Sequence, residues 1–397
     1  MVPRALAPRL IELTRTFPAV FLTGPRQAGK TTLARSTFPD FGYLSLEDLD
    51  TRREADDDPR GFLRRLEDRP GHILDEVQRA PALLSYLQRH LDERRGGPVV
   101  LTGSQHFLLS EKISQSLAGR VAILELLPFS LAELSGRPAV PLTSPVPAGI
   151  AAGPPPFVRD ELLVAGQFPR IHAERLDPRA WLDGYVRTYV ERDVRSLTNV
   201  GDLETFTRFL ALCAGRTGQL LNASSLGADA GVSHATARRW ISVLQASYVV
   251  ELLRPHHASF SKRMVKSPKL YFVDSGLLSY LLGIRSAGDL AMHPLRGAVF
   301  ECFVVSELRK HFLHRGERPP LWFWRDTAGH EVDVIVDLGT RRIPVEAKSG
   351  ETVAPDAYRG LDFYAGLARE VGGILVYGGD ECRLVRNHEV RAWWACA

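Results

Sequence analysis

The stretch Gly24-Pro25-Arg26-Gln27-Ala28-Gly29-Lys30-Thr31 follows G-x-x-x-x-G-K-[ST]. It lies between the apolar run Ala19-Val20-Phe21-Leu22 and a segment with helical character from Thr31 to Phe38. A strand feeding a helix through such a loop constrains the chain more than any other feature, because it is a building unit of an α/β sheet. The bounding glycines let successive backbone N–H groups converge on phosphate oxygens at the helix N-terminus. Lys30 is then placed to reach the β- and γ-phosphates, and the Thr31 hydroxyl to ligate Mg²⁺. The expectation is a nucleoside triphosphate site made by Gly24, Pro25, Arg26, Gln27, Ala28, Gly29, Lys30, Thr31 and Thr32.

At 397 residues the chain is too long for one ordinary core, and two or three domains are expected. Apolar residues make up 45% and charged residues 24%, which excludes wholesale disorder. The net charge is only +4, so any basic surface for nucleic acid has to be local. Cys213, Cys302, Cys382 and Cys396 are scattered without C-x-x-C spacing, against a zinc site or a disulfide framework. No apolar run reaches the roughly 18 residues of a membrane helix, and Met1 to Arg9 lacks a signal-peptide core. A cytoplasmic protein with no membrane partner is expected.

After the loop, the β-type runs Tyr43 to Leu46, His72 to Leu74, Val99 to Thr102 and Val121 to Leu124 alternate with helical stretches, which predicts a parallel sheet with helices on both faces. Leu83, Leu84, Leu87 and Leu91 mark one of those helices. Residues 136 to 156 are rich in proline, glycine and alanine and read as a linker. From 157 to about 290 the pattern is mostly helical. From Leu321 to Tyr377 short β runs flank one helical stretch near 355 to 368, a third and smaller α/β unit. The division expected is 1–134, a linker at 135–156, 157–290 and 291–397.

His72-Ile73-Leu74-Asp75-Glu76 puts two acids at the end of a strand, facing the crevice that holds the loop. Asp75 is placed to hold the Mg²⁺ hydration shell and Glu76 to polarise the attacking water. A solvated acid pair in a turn is the alternative. Ser104 or Gln105, after the next strand, would serve as a γ-phosphate or water sensor, or else as an ordinary turn. Arg120 either complements a helix C-terminus or acts as an arginine finger on a neighbouring subunit, which makes a homo-oligomer an open expectation.

Together with Leu74-Asp75-Glu76-Val77-Gln78, Leu101 to Ser104 and Leu117-Ala118-Gly119-Arg120, the loop resembles that of the prokaryotic AAA-type (AAA_14-like) ATPases that carry a C-terminal DUF4143 region. Gln167-Phe168-Pro169, Tyr189 to Val194 and Phe272 to Leu278 are similar to that second region. The resemblance implies ATP as the nucleotide, Mg²⁺ as its metal, and an ATPase joined to winged-helix and nuclease-like modules. The loop departs from many AAA proteins in having Gln27-Ala28 where a middle glycine is common, and no second sensor arginine can be assigned.

Two further patterns bear on function. Leu226 to Ser233 followed by Ala237 to Leu244 has helix-turn-helix spacing, with Gly231 at the turn, Ser233 as N-cap, and Trp240, Ile241, Leu244 and Tyr248 on the buried face. Beyond the strand Val249 to Leu253, a wing carrying Lys262, Arg263, Lys266 and Lys269 is expected to join Arg238 and Arg239 on DNA phosphates, unless the module binds protein instead. Near the C-terminus, Glu301 in a helical run precedes Asp333 and Glu346-Ala347-Lys348 on two strands. Alternation puts Glu346 and Lys348 on one face, and a hairpin would bring them to Asp333. The spacing D-x(12)-E-x-K resembles the PD-(D/E)XK nuclease superfamily. It implies Asp333 and Glu346 as metal ligands, with Glu301 in support and Lys348 at the water or the phosphate. Cross-strand charge pairing would look the same. The fold class expected is thus α/β: a P-loop NTPase domain with a parallel sheet, a helical and winged-helix middle, and a small restriction-endonuclease-like C-terminal domain. The function expected is an Mg²⁺-dependent ATPase that regulates contact with nucleic acid, with a non-enzymatic nucleotide switch acting on a protein partner as the rival.

Overall fold

Every residue of β1 (Ala19–Thr23) is buried, because helices cover both faces of its sheet. Alternation sends Ala19 and Phe21 into one apolar cluster and Val20 and Leu22 into another. The computed structural model describes residues 2–93, 96–104, 117–143, 154–190, 203–256, 265–368 and 372–396, without the side chains of 189 and 190. They form two compact units: Met1–Phe129 with Ala246–Tyr248 and Phe312–Glu317, and Ser130–Gln245 with Val249–His311 and Arg318–Ala397.

In the first unit β1, β2 (Gly42–Ser45), β3 (His72–Asp75), β4 (Val99–Gly103) and β5 (Val121–Glu125) form one sheet in the order β2-β3-β4-β1-β5. All four pairings are parallel. The unit's helices are α1 (Ala7–Thr16), α2 (Lys30–Thr37), α3 (Leu49–Asp57), α4 (Pro59–Arg64) and α5 (Leu83–Asp92). Leucines at helical spacing on α5 enter the same cluster as Phe21, Leu74 and Leu101. The expected parallel α/β sheet is present, and β1, β3 and β4 end on one edge with the loop that precedes α2.

The second unit opens with α6 (Leu131–Ser135), fixed by a capping box between Ser130 and Glu133. Residues 144–153 of the expected linker lie outside the described residues; of its flank, Leu142 is buried and the Pro141 carbonyl accepts from Arg391 Nη2 at 3.1 Å. Helices α7 (Arg159–Ala165), α8 (Pro169–Ala173), α9 (Pro178–Tyr185), α10 (Leu203–Ala214), α11 (Ala223–Ala230) and α12 (His234–Ala246) follow. Gly231 ends α11 in the left-handed conformation at φ 79, and the Ser233 hydroxyl accepts from the Thr236 N–H at 3.1 Å to start α12. Trp240 on α12 meets Phe206 and Phe209 of α10 edge-on. Next, β6 (Val250–Leu253) and β7 (Lys269–Phe272) pair antiparallel.

Helices α13 (Ser275–Leu281), α14 (Ala287–Met292) and the long α15 (Arg296–Leu313) lead into a mixed sheet. Its strands are β8 (Leu321–Arg325), β9 (Glu331–Asp337), β10 (Arg342–Lys348), β11 (Ile374–Tyr377), β12 (Arg383–Val385) and β13 (His388–Ala392), in the order β12-β13-β11-β10-β9-β8. Helix α16 (Arg359–Ala368) contributes Leu361 and Tyr364 to a core with Trp324, Val332 and Leu375. Val332 points into that core, so alternation on β9 sends Glu331 and Asp333 to the other face. No helix among the described residues is long and apolar enough to cross a membrane.

Candidate active sites

The phosphate loop is shaped by its backbone. Gly24 sits at φ 145, where a Cβ would lie 2.1 Å from the Leu126 carbonyl oxygen, so no other residue fits. Gly29 (φ 89) is the N-cap of α2 and offers no side chain to the helix's first N–H groups. Gln27 takes the left-handed conformation (φ 62). This is the strain expected where many related loops have glycine. The buried Lys30 ammonium donates to the Gly24 carbonyl at 3.0 Å and the Pro25 carbonyl at 2.8 Å, folding back over the space a phosphate would take.

At the sheet edge the Thr31 hydroxyl donates to Asp75 Oδ1 and Oδ2 at 2.9 and 3.0 Å. Tyr43 donates to Asp75 Oδ2 at 2.9 Å, and the buried Thr102 hydroxyl also donates to Asp75. Burial, followed by the Asp75 charge, pushes the Tyr43 phenol up to about 12. Glu76 stands in the left-handed region (φ 56), unusual for a non-glycine residue. Its Oε2 accepts from Gln78 Nε2 and, at 3.4 Å, from Ser104 Oγ. The structure therefore groups Thr31, Asp75, Glu76 and Ser104 as the sequence placed them, and adds Tyr43, Thr102 and Gln78. Gln105 lies outside the described residues. The hard oxygens of Thr31 and Asp75, beside a lysine and a helix N-terminus, fit an Mg²⁺ whose other ligands are waters and nucleotide phosphates. Arg120, in a turn before β5, is bound to Asp92, with Nη2 to Oδ2 at 2.9 Å.

A second constellation lies in the second unit. β9 and β10 form the antiparallel hairpin, Val345 opposite Val334. The Ala347 N–H donates to Asp333 Oδ2 at 2.9 Å, and Lys348 Nζ donates to Glu346 Oε1 at 2.7 Å. Glu346 is 8% exposed, and its Oε2 is buried with no hydrogen bond. Burial first, then repulsion from Asp333, pushes Glu301 up to about 7 and Glu346 up to about 8. Thus Glu301, Asp333, Glu346 and Lys348 are brought together. An orphaned carboxylate oxygen beside Asp333 is what a hard cation would satisfy, although no group of three His, Cys, Asp or Glu among the described residues is disposed to hold a metal.

Lys269 corrects the reading of the wing. Instead of reaching DNA phosphates it is 1% exposed, and its ammonium pairs with Glu301 Oε1 at 3.1 Å, with Glu331, and with Asp333 Oδ1 at 3.7 Å. Burial alone would lower its pKa; Glu301, Asp333 and Glu331 hold it well above the ordinary lysine value. Tyr271, two residues on and so on the same face of β7, donates to Glu301 Oε1 at 2.5 Å. The alternation Lys269-Leu270-Tyr271-Phe272 was the available sign that Lys269 belongs to a strand. Lys262 and Arg263 lie outside the described residues, whereas Lys266, Arg238 and Arg239 are exposed.

Residues 16–135 match the AAA domain (AAA_14), 158–288 a domain of unknown function, DUF8612, and 296–394 another, DUF4143. The motifs at 167–169, 189–194 and 272–278, assigned above to the DUF4143 region, therefore fall in the DUF8612 span. The uncharacterized protein Rv2008c of Mycobacterium tuberculosis is 34% identical over 357 residues, covering 88% of this chain and 74% of that protein. The uncharacterized protein Mb2031c of Mycobacterium bovis gives the same figures. Among solved structures, the Walker-type ATPase PABY2304 of Pyrococcus abyssi aligns with a TM-score of 0.46 and 13% identity, over 71% of this chain and 96% of that one.

Proposed function

From the premise that this chain belongs to the family of the mycobacterial protein Rv2008c and is an ATPase with an AAA domain, we propose that Mg²⁺-dependent turnover regulates nucleic-acid binding, and cleavage, by its C-terminal site. In the first unit, Lys30 leaves the loop carbonyls for the phosphates while the amides at the start of α2 hold their oxygens. Thr31 and Asp75 would hold Mg²⁺, which would supply charge neutralisation at the phosphates. Glu76, with Ser104 beside it, orients water on the γ-phosphorus and draws off its proton as the bond to the ADP oxygen breaks. Arg120 would act in trans only by exchanging Asp92 for a neighbour's phosphate.

The domain division 1–134, 157–290 and 291–397 goes with this reading. α10, α11 and α12 with the β6–β7 pair serve as a winged helix whose exposed Arg238, Arg239 and Lys266 meet phosphates. The C-terminal unit serves as a nuclease of the PD-(D/E)XK type. The observation that carries this is the orphaned Glu346 Oε2 held beside Asp333 and Lys348 on one hairpin. Asp333 and Glu346 would hold a divalent ion, which activates water against a phosphodiester. Lys348, 40% exposed and paired with Glu346, would turn to the phosphate as the water oxygen bonds to phosphorus, its proton passing to solvent, and the ester oxygen leaves with a solvent proton. The test is incubation of the protein with single- and double-stranded DNA and RNA, with Mg²⁺ or Mn²⁺, with and without ATP. Metal-dependent cleavage that changes with ATP is expected. No cleavage in any condition would favour a nucleotide switch acting on a protein partner.

A further inference from the structure

Asp75 ends β3 with a neighbouring strand on either side, and each neighbour sends it one hydroxyl. Tyr43 of β2 lies two residues before Ser45, which pairs with Asp75, so alternation puts its ring on the same face as the acid. Its phenol donates to Asp75 Oδ2 at 2.9 Å. From β4 on the other side, the fully buried Thr102 hydroxyl donates to Asp75 Oδ1 and accepts from the Glu76 N–H at 3.3 Å. Thr31 has one proton to share between the two oxygens, at 2.9 and 3.0 Å. Tyr43 is therefore the donor that Oδ2 has to itself. The residue is 37% exposed, yet its hydroxyl is turned inward to the acid. The Arg35 guanidinium lies 4.6 Å from the ring centre, so the ring is held by α2, the helix that begins at Lys30 and Thr31.

We propose that Tyr43 is a positioning residue for Asp75, and that its hydroxyl makes the phosphate-loop site select Mg²⁺ over Ca²⁺. The proposal rests on the reading that Asp75 holds the nucleotide's metal. Thr31 can offer a lone pair to an ion while its proton stays on Asp75, and Tyr43 and Thr102 keep their own hold on the two carboxylate oxygens. A carboxylate pinned in this way presents a fixed edge to a small ion or to its water. It is not open to swing and chelate a larger ion with both oxygens. Mg²⁺ asks for the first arrangement: a near-ideal octahedron in which most ligands are waters and substrate phosphates. Ca²⁺ takes more oxygens at longer distances, often with a bidentate carboxylate, and gains from the second. Groups that orient a metal-binding side chain are worth about tenfold or more in metal affinity. Because the phenol is neutral, it does this without lowering the charge that Asp75 offers the ion.

The test is equilibrium binding of a fluorescent ADP analogue to the full chain, first in EDTA and then titrated with Mg²⁺ or with Ca²⁺, so that no turnover enters the readout. Tyr43→Phe keeps the ring beneath Arg35 and removes only the hydroxyl. In that variant the half-saturating Mg²⁺ concentration should rise by about tenfold. The Ca²⁺ value should change by less than about threefold. Affinity in EDTA should match the wild type, which a general loosening of the loop would not allow. Asp75→Asn, run alongside, should raise the Mg²⁺ value at least as far. If Asp75→Asn shifts the Mg²⁺ value but Tyr43→Phe does not, the proposal is overturned. Mg²⁺ and Ca²⁺ values that rise together in Tyr43→Phe, or affinity lost already in EDTA, overturn it too. A wild type indifferent to Mg²⁺, or an Asp75→Asn chain with the wild-type value, overturns the metal reading of Asp75 and this inference with it.

Discussion

The phosphate-loop site and the acid–lysine site both gather carboxylates against a sheet, the first at its edge and the second on its face, but they hold them differently. In the first, Asp75 is surrounded by neutral donors, Thr31, Tyr43 and Thr102, and Glu76 by Gln78 and Ser104. In the second, Glu301, Asp333 and Glu346 crowd one another, and burial with mutual repulsion pushes Glu301 up to about 7 and Glu346 up to about 8. Hydroxyls that ring an anion can turn to an incoming Mg²⁺ and its nucleotide with little change in local charge. Acids stressed by one another need a cation, and the fold supplies Lys269 and Lys348 as part of that answer. The first site thus holds its acids with neutral donors, whereas the second holds two carboxyls whose pKa is raised by burial and mutual repulsion.

The largest effect that would break this contrast is on turnover. Glu76→Gln should lower the rate of ATP hydrolysis by about 100-fold or more, since the amide cannot take the water's proton. Nucleotide affinity should stay as it is, because Lys30 and the α2 N-terminus are intact. Phosphate release and nucleotide titration on the same preparation check both halves.

Replacing Lys269 by Met should come next. The side chain is almost fully buried among three acids, so removing it should destabilise the second unit by about 3–5 kcal/mol. Urea unfolding should show the loss in that unit, with ATP hydrolysis retained by the first.

How far these sites were legible in the chain follows from how each is built. The phosphate loop is local: one contiguous run sets the turn, the lysine and the helix start, and Asp75 follows at the end of a short apolar strand. Tyr43 escaped notice because it reaches Asp75 from the neighbouring strand across the β2–β3 pairing, which no local spacing records. The hairpin that joins Asp333 to Glu346 and Lys348 was readable from two alternating runs. Lys269 was not, because a lysine among basic residues looks solvated, and only the fold of β7 against α15 and β9 shows the acids that bury it. The strands β12 and β13 were missed for a related reason. They are short, and β12 is mostly exposed at the sheet edge, so neither carries a strong apolar pattern.

A pH series sharpens the comparison further. Glu301 and Glu346 have folded pKa values raised from 4.5, so the folded second unit binds more protons than its unfolded chain above that pH. The stability from this source is full below the ordinary carboxylate range and is lost as pH rises through about 7 and about 8. Metal-free protein should lose urea resistance progressively from about pH 4.5 to about pH 8, and little beyond, by the linkage of these two acids. Glu346→Gln should flatten the loss, and equal slopes in the variant and wild type would remove Glu346 from the explanation.

The smallest expected effect concerns the basic face of α12. Changing Arg238, Arg239 and Lys266 to alanine together should weaken DNA binding alike for all sequences, and lower the salt slope by about one for each phosphate no longer neutralised. An unchanged slope would take this surface out of the proposal.

The central claim is that one chain carries two chemically separate hydrolytic sites, and one measurement reaches it most directly: ATP hydrolysis and metal-dependent nucleic-acid cleavage followed in parallel on Asp333→Ala. The expected result is cleavage abolished with the rate of ATP hydrolysis unchanged, since Asp333 and Asp75 lie in different units. Cleavage that persists in Asp333→Ala, or a wild type that cleaves nothing while hydrolysing ATP, would contradict it.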